Sequence, residues 1–352
     1  MNTIHIAASR EYDVLIGHGL LDELGTLAAG GVDAKTAAIV SDDSVFALYG
    51  KRAAAALERA GLRVISFVFP HGESSKNLTV YGQVLNFLCE NRISRTDVVV
   101  ALGGGVVGDL AGFAAATYLR GIRFIQVPTT LLAMVDSSVG GKTAVDLDGG
   151  KNQAGAFWQP SLVVCDCDVL DTLPEREYRC GCAEVIKYGL LNNAPFFNDL
   201  METPAKEQYE HVISTCVEMK KQVVLSDEFD RGERQKLNLG HTIGHAVEQC
   251  SGFTLLHGEC VAIGMAVITR AAVKKGFCAQ ETLDAVEKIL KLYGLPDKTD
   301  YSADKLLDVA LSDKKVANGN ISLIVPEAVG KCSILPVPAE ALREWMQAGG
   351  IV

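Results

Sequence analysis

Hydrophobic and polar positions follow two different patterns along the first 170 residues of the chain. Short runs that are apolar at nearly every position are separated by stretches with the three-to-four-residue spacing of an amphipathic helix. The apolar runs read TAAIVSD, RVISFVF, DVVVALG, RFIQVP and SLVVCD, and the helical stretches include VFALYGKRAAAALERAG and TVYGQVLNFLCENR. Strands buried on both faces and joined by helices are typical of a mostly parallel sheet. The pattern predicts an α/β domain of the nucleotide-binding, Rossmann-like type.

Helical periodicity dominates the rest of the chain, after the segment LDTLPERE. It runs through AEVIKYGLL, YEHVISTCVEMKKQVVL, ECVAIGMAVITRAAVKKG and ETLDAVEKILKLYG, and one late run, NISLIVP, is typical of a strand. A chain of 352 residues also exceeds the size of one typical core. We therefore predict two domains, an α/β domain over residues 1–173 and a mainly α-helical domain over residues 174–352.

Charge and hydropathy exclude two classes of partner. The chain has 33 Lys and Arg against 43 Asp and Glu, a net charge of −10, which is the wrong sign for a nucleic-acid-binding protein. Asp109 and Asp136 interrupt the most apolar stretches, so no run reaches the roughly 18 residues that a membrane helix needs. We expect neither a nucleic acid nor a membrane as partner.

The cysteines and the first residues bear on the compartment. The ten cysteines include no CxxC pair, and the N-terminal residues show no basic region followed by an apolar core. Two CxC pairs, Cys165/Cys167 and Cys180/Cys182, suit a soft metal, but buried free thiols are the simpler interpretation. These features favour a reducing, cytoplasmic location.

The segment DVVVALGGGVVGDLAGFAAATYLRG predicts a strand, a glycine turn and a helix. Gly103, Gly105 and Gly108 have the spacing G-x-G-x-x-G, which lets a pyrophosphate approach the backbone at the positive end of a helix. About 20 residues further on stands Arg120 rather than the acidic residue that binds a ribose. The spacing favours a dinucleotide over a purely structural turn, with Asp42 or Glu73 as substitute ribose partners.

A second glycine-rich segment, PTTLLAMVDSSVGGKTAVDLDGGKN, indicates an anion site. Its GKT invites a phosphate-loop interpretation, but the position that should begin that loop with glycine is Asp136. Hydroxyls, lysines and glycines nevertheless lie close together here, as an anion-binding site requires.

Three of the seven histidines fall within the stretch NLGHTIGHAVEQCSGFTLLHGE. His241 and His245 are four residues apart on a predicted helix, so they share a face, and His257 opens the next helical run. Catalytic zinc commonly uses three protein ligands, often two histidines and a carboxylate. The candidate carboxylates are Glu184, Glu248 and Glu259, and spacing alone does not choose among them.

Six segments, taken in order, resemble the 3-dehydroquinate synthase family over nearly the full length. They are GGGVVGDLAGFAAATYLRG, QVPTTLLAMVDSSVGGKTAVD, GKNQAGAFWQP, TLPEREYRCGCAEVIKYG, RQKLNLGHTIGHAVE and LHGE. The resemblance implies a zinc or cobalt ion held by Glu184, His241 and His257, with His245 lining the substrate pocket.

The resemblance also implies positions for NAD, for the substrate and for a second subunit. Arg120 matches the arginine that reaches the neighbouring subunit's site in that family, which implies a homodimer. The implied NAD positions are Asp42, Glu73, Lys76, Gly104, Gly105, Gly108, Asp109, Thr129, Thr130, Lys142, Lys151 and Thr172. The implied substrate positions are Asp136, Lys142, Lys151, Asn152, Lys187, Lys220, Arg234, Asn238 and Lys314, the last preferred to Lys315.

The family reaction converts 3-deoxy-D-arabino-heptulosonate 7-phosphate to 3-dehydroquinate and phosphate on the shikimate pathway. NAD takes a hydride and later returns it, and phosphate elimination, ring opening and an aldol closure complete the sequence. The resemblance therefore predicts a lyase that uses NAD and one metal. The alternatives are another sugar-phosphate cyclase, of the valiolone or inosose type, a metal-dependent polyol dehydrogenase, and a non-catalytic binding protein.

Overall fold

The fold was analysed in a computed structural model that describes residues 1–30, 34–312 and 319–352. Contacts divide these residues into two units, one formed by 1–173 with 209–229 and the other by 174–208 with 230–352. Among the described residues, no helix has both the length and the apolar character needed to cross a membrane.

Among the described residues, the secondary structure contains the six predicted strands and five that the pattern did not predict. The strands are β1 (Asn2–Ala7), β2 (Glu11–Gly17), β3 (Thr36–Asp42), β4 (Arg63–Phe69), β5 (Val98–Gly103), β6 (Arg123–Pro128), β7 (Lys142–Leu147), β8 (Gly150–Phe157), β9 (Leu162–Asp166), β10 (Asn320–Ala328) and β11 (Lys331–Pro338). The α-helices are α1 (Leu24–Ala29), α2 (Asp43–Val45), α3 (Lys51–Arg59), α4 (Leu78–Glu90), α5 (Gly105–Thr117), α6 (Glu175–Asn192), α7 (Ala194–Glu202), α8 (Tyr209–Ser226), α9 (His241–Cys250), α10 (His257–Lys274), α11 (Gln280–Leu292), α12 (Ala303–Ser312) and α13 (Leu342–Ala348). Two π-helical turns, Phe46–Gly50 and Ala133–Ser137, and several 3-10 turns complete the elements used below.

The first unit is built on a seven-stranded sheet in the order β1-β2-β9-β6-β5-β3-β4. All neighbouring strands are parallel except β1, which pairs antiparallel with β2 at one edge. Every residue of β3 and β5 is buried, which explains why their sequences are apolar without alternation. The predicted parallel α/β domain is confirmed.

Helix α5 covers one face of this sheet and contributes much of the core. Leu110, Ala111 and Ala114 pack in one cluster with Val99 and Phe124, and all are fully buried. Burying a side chain such as Phe124 contributes about 2–3 kcal/mol, so this helix is fixed firmly behind the glycine turn that precedes it.

Helix α8 belongs to the first unit, although the sequence placed it in the domain of residues 174–352. Its buried residues Val212, Cys216 and Val217 lie on the side that packs against β1, β2 and the π-helical turn Ala133–Ser137. Periodicity predicts that a helix has an apolar face but does not say which element covers it. The chain therefore leaves the first unit, returns for one helix and leaves again.

The second unit is mainly helical, as predicted, with one hairpin of β10 and β11. Helix α10 is buried along most of its length, and small residues let α9 approach it closely. A side-chain carbon on Gly264 would lie 1.9 Å from the carbonyl oxygen of Gly240, and one on Gly244 would lie 2.8 Å from that of Cys260. The crossing of α9 and α10 therefore requires glycine at these positions.

Candidate metal and cofactor sites

Three histidines and one glutamate meet inside the second unit. Glu184 is fully buried on α6, and its Oε1 lies 3.2 Å from Nε2 of His257 and 3.5 Å from Nε2 of His241. The His241 ring centroid is 5.2 Å from that of His257 and 5.3 Å from that of His245. One atom from each of Glu184, His241 and His257 lies within 4.8 Å of the others, which is the spacing of groups that can hold one metal ion.

Backbone contacts explain why these side chains meet. His241 begins α9 directly after Gly240, whose φ of 78° is in the left-handed region, and His257 is the first residue of α10. A side-chain carbon on Gly258 would lie 2.1 Å from the Cys180 carbonyl oxygen, so only glycine lets α10 begin this close to α6. Nδ1 of His241 lies 3.1 Å from the carbonyl oxygen of Leu239, an acceptor that leaves Nε2 available as a ligand.

Lys187 supplies the positive charge beside Glu184. It stands three residues further along α6, only 1% of its side chain is exposed, and its ammonium group pairs with Oε2 of Glu184. Burying these charges together compensates part of the desolvation penalty that either alone would suffer. Arg234, also buried, and Asn238 lie in the same unit on the 3-10 helix Glu233–Asn238, shortly before α9 begins at His241.

The other two candidate carboxylates have different surroundings. Glu259 accepts the N–H of Leu256 and pairs with Arg176, so it caps α10 instead of joining the cluster. Glu248 is buried, and its Oε2 lies 3.8 Å from Nδ1 of His257, on the ring edge away from Glu184. With His245 and His257 it forms a second, overlapping group of possible ligand atoms. The structure thus narrows the choice that spacing left open.

The first unit contains the predicted glycine turn at the end of β5. Gly104 precedes α5, and side-chain carbons on Gly104 and Gly105 would meet Thr130 at 3.0 Å and Ser137 at 3.2 Å. Gly108 packs on Gln126, where a side-chain carbon would be 2.6 Å from the amide oxygen, so the helix and the sheet meet closely. The strand, the turn and the helix are confirmed.

Polar groups around this turn match a dinucleotide. The hydroxyl of Thr129 is buried and has no hydrogen-bond partner among the described residues, as expected where a ligand supplies one. Asp42 ends β3, where its carboxylate accepts the N–H of Val45 and the hydroxyl of Ser44. Thr172 is held by a 2.5 Å hydrogen bond to the hydroxyl of Tyr49. The residues present therefore fit NAD.

A partly buried ion-pair network lies beside the turn. Nζ of Lys76 is 2.7 Å from Asp109 and 3.7 Å from Glu73, and Nζ of Lys151 is 3.2 Å from Glu73. Burial opposes the charge on Lys76, but the two carboxylates outweigh it and hold the pKa of Lys76 above its usual value. Lys76 is therefore a permanent cation in this part of the first unit.

The remaining predicted residues are distributed as follows. Lys220, on α8, donates from Nζ to the carbonyl oxygen and to Oδ1 of Asp136, both at 2.6 Å, within the first unit. Lys142 and Asn152 are exposed on the β7–β8 hairpin, and Arg120 is exposed at the end of the 3-10 turn Tyr118–Arg120. Lys314 and the alternative Lys315 lie outside the described residues.

Two protein-family models match the sequence of this chain. A model described as 3-dehydroquinate synthase N-terminal matches residues 66–180, and one described as 3-dehydroquinate synthase C-terminal matches residues 181–316. The chain belongs to the 3-dehydroquinate synthase family.

Similar proteins cover nearly the whole length of this chain. The 3-dehydroquinate synthase of Lactococcus lactis subsp. cremoris (strain MG1363) is 43% identical over 345 residues, covering 96% of this chain and 97% of that protein. A 2-deoxy-scyllo-inosose synthase solved with carbaglucose-6-phosphate, NAD+ and Co2+ is 27% identical with a TM-score of 0.88, covering 98% of this chain and 99% of that one. ValA, a 2-epi-5-epi-valiolone synthase from Streptomyces hygroscopicus subsp. jinggangensis 5008 with NAD+ and Zn2+ bound, is 27% identical with a TM-score of 0.87, covering 96% of each chain.

Two residues that contact predicted site residues had no role predicted from the sequence. Tyr49 lies in a helical stretch whose pattern predicted only packing, yet its hydroxyl holds Thr172. Asp146 closes the motif segment QVPTTLLAMVDSSVGGKTAVD, and its contacts with Asn152 and Lys76 become visible only in three dimensions. All four CxC thiols are free and buried, as expected, and the sulfur of Cys180 accepts the N–H of Gly258 at the start of α10.

Proposed function

We propose that the chain converts 3-deoxy-D-arabino-heptulosonate 7-phosphate to 3-dehydroquinate and phosphate, as an NAD- and metal-dependent lyase. The observation that carries the proposal is the cluster of Glu184, His241 and His257 with the buried Lys187 beside it. The full-length identity to 3-dehydroquinate synthases exceeds that to the inosose and valiolone synthases, 43% against 27%, which favours this substrate over theirs.

The cluster suits one zinc or cobalt ion, with Glu184, His241 and His257 as ligands. Such an ion supplies Lewis acidity, which lowers the pKa of a hydroxyl that it binds. Lys187 places its ammonium group against Oε2 of Glu184, where it compensates the charge of the ligand carboxylate. His245 lies against both ligand histidines and presents an imidazole, which can donate or accept a hydrogen bond.

The glycine turn of the first unit suits NAD, which supplies reversible hydride acceptance. The N-terminus of α5 provides positive potential for its pyrophosphate, and Lys76 offers an ammonium donor in the same part of the first unit. Asp42, Glu73, Asp109, Thr129, Thr130 and Thr172 supply acceptors and hydroxyls around that position.

Cations in each unit are candidates for binding anionic groups. Lys142, Lys151 and Lys220 belong to the first unit, and Lys187 and Arg234 to the second. Preorganised cations stabilise the charge that develops on a departing phosphate, and Asp136 holds the Lys220 ammonium group in place. We also propose that the chain is a homodimer in which Arg120 serves the neighbouring subunit.

The test measures phosphate released from 3-deoxy-D-arabino-heptulosonate 7-phosphate with less than one equivalent of NAD, with and without a chelator. We expect many turnovers per NAD, loss of activity on chelation and recovery with zinc or cobalt. A preparation of Glu184→Gln controls for contaminating phosphatase. A folded, metal-loaded, NAD-binding protein that releases no phosphate would contradict the proposal, and sedoheptulose 7-phosphate and glucose 6-phosphate would then be tested.

A further inference from the structure

The β7–β8 hairpin is irregular at Asp146. Val145 pairs with Ala154 and Leu147 with Gly150, so the three residues from 151 to 153 lie opposite Asp146 alone. Extra residues in one strand of a pair redirect side chains, and such bulges are common next to active sites. This bulge contains Lys151 and Asn152, which the family resemblance implies as substrate-binding residues.

The bulge depends on an unusual backbone conformation. Asn152 has a φ of 55°, in the left-handed region that L-residues seldom occupy. Its N–H donates to Oδ1 of Asp146 at 2.8 Å. A hydrogen bond to an ionised carboxylate is stronger than one between neutral groups, so Asp146 can hold Asn152 in this conformation.

Asp146 is also joined to the segment that carries Glu73 and Lys76. Its own N–H donates to the carbonyl oxygen of Lys76 at 2.8 Å, and Asp146 forms a parallel bridge with Asn77. Lys151 completes the connection, because its ammonium group lies 3.2 Å from Glu73. Asp146 therefore links the proposed cofactor segment to the proposed substrate residues within the first unit.

We propose that Asp146 is a positioning residue that holds Lys151 and Asn152 in their substrate-binding arrangement beside Glu73 and Lys76. The inference rests on the proposed function, because the family resemblance behind that function places substrate contacts at Lys151 and Asn152. The Asp146 carboxylate accepts the N–H of Asn152 in the bulge. The backbone N–H of Asp146 donates to Lys76 in the proposed cofactor segment, and a side-chain substitution leaves this donor in place.

The first test follows hydrogen exchange of the Asn152 amide, which needs no substrate. In Asp146→Ala, exchange of this amide is expected to become at least about tenfold faster, because a single lost hydrogen bond exposes it. Asp146→Asn keeps an acceptor oxygen and should protect the amide nearly as well as the wild type. Asp148→Ala, in the exposed turn of the same hairpin, is the matched control and should leave exchange unchanged.

The second test compares substrate and cofactor. In Asp146→Ala, KM for the heptulosonate phosphate should rise about tenfold or more, equivalent to the loss of one good hydrogen bond, while the Kd of NAD stays within about threefold. Asp146→Asn should recover most of the loss. If the alanine variant does not fold, Asp146→Ser replaces it, since the shorter side chain does not reach the Asn152 N–H.

Three results would overturn the inference. They are unchanged exchange of the Asn152 amide in Asp146→Ala, faster exchange with unchanged KM and kcat, and an asparagine variant as impaired as the alanine variant. A wild-type protein inactive on the heptulosonate phosphate would instead contradict the proposed function, while the exchange of the Asn152 amide would still decide whether Asp146 holds the bulge.

Discussion

The Oε1 atom of Glu184 lies 3.2 Å from Nε2 of His257, although the two residues are 73 positions apart in the chain. Glu248 lies on the opposite edge of the same ring, 3.8 Å from Nδ1. Burial of the ring opposes protonation, but the hydrogen bonds and charges of the two carboxylates outweigh it and raise the pKa of His257 to about 9. Without metal the cluster therefore holds a proton that an incoming metal ion must displace.

Glu184→Gln should abolish stoichiometric metal binding, because a neutral amide replaces the anionic ligand. The measurement is the zinc content of the dialysed protein by atomic spectroscopy, together with the rise in Tm on adding zinc. Glu175→Gln, at the exposed start of the same helix, is the control and should bind one zinc. Full zinc occupancy in Glu184→Gln would remove this residue from the ligand set.

Glu248→Gln should weaken zinc binding by about ten- to a hundredfold, since carboxylates that orient a ligand histidine have effects of that size. Affinity is measured by competition with a chromophoric chelator between pH 6 and pH 9. In the wild type affinity should rise with pH, because the raised pKa of His257 keeps the ring protonated until about pH 9. In Glu248→Gln the rise should come at lower pH, since one charge that favours the protonated ring is lost.

Gln249→Ala is the matched control for Glu248→Gln, because Gln249 is the exposed next residue on α9. Equal zinc affinity and equal pH dependence in Glu248→Gln and the wild type would show that Glu248 only fills space.

Much of the architecture follows from the sequence, because buried parallel strands and amphipathic helices have strong periodic patterns. The five predicted strands of the sheet all exist, as does the glycine turn before α5. The edge strand β1, its neighbour β2, the β7–β8 hairpin and β11 were missed, since their patterns are short or rich in glycine, proline and polar residues. The placement of α8 was also missed, because its covering surface comes from distant residues.

The candidate metal site was likewise predicted only in part. Residue types and spacing narrowed the metal ligands to three histidines and three glutamates. What separates Glu184 from Glu248 and Glu259 is helix packing, since the glycines at 240, 244, 258 and 264 determine which side chains meet. Contacts through the backbone, such as that between Asp146 and Asn152, leave no signal in the residue pattern.

Lys220→Ala should reduce kcat/KM strongly and lower stability by about 3 kcal/mol, because it leaves Asp136 without its buried ammonium partner. Phosphate release and urea unfolding measure the two effects. Lys221→Ala removes a neighbouring lysine that pairs with Glu218 on the surface, and should change stability by less than about 1 kcal/mol. Wild-type kinetics in Lys220→Ala would exclude this lysine from substrate binding.

Asp97→Ala should destabilise the first unit in a pH-dependent way. The buried carboxylate accepts the N–H groups of Thr36 and Ser94 and the Ser94 hydroxyl. Burial alone would raise its pKa, but these donors outweigh burial and hold the pKa of Asp97 below its usual value. The stabilisation is therefore complete above the unfolded-state pKa of about 4 and is lost as the pH falls through the lower folded-state pKa.

Urea unfolding of the wild type and of Asp97→Ala tests this at several pH values. We expect a difference of about 2–3 kcal/mol at pH 7, because buried donors are left unsatisfied, and a smaller difference as the pH falls below about 4. Asp13→Ala, an exposed carboxylate on β2, serves as the control. A difference that stays constant down to pH 3 would contradict the account.

Arg120 allows a direct test of whether one subunit completes the site of another. Arg120 and the preceding Leu119 both have positive φ, 67° and 51°, and both are exposed, so the turn presents the arginine at the surface at a cost in backbone energy.

Arg120→Ala and Lys187→Ala are each expected to be nearly inactive alone. If Arg120 acts across a dimer, a heterodimer of the two variants keeps one intact site, because the intact lysine and the intact arginine then meet in it. Equal mixing with subunit exchange should restore about a quarter of the wild-type activity, since half the dimers are mixed and half their sites are intact. No recovery, with exchange verified by mass spectrometry, would place Arg120 in its own subunit's site or outside the reaction.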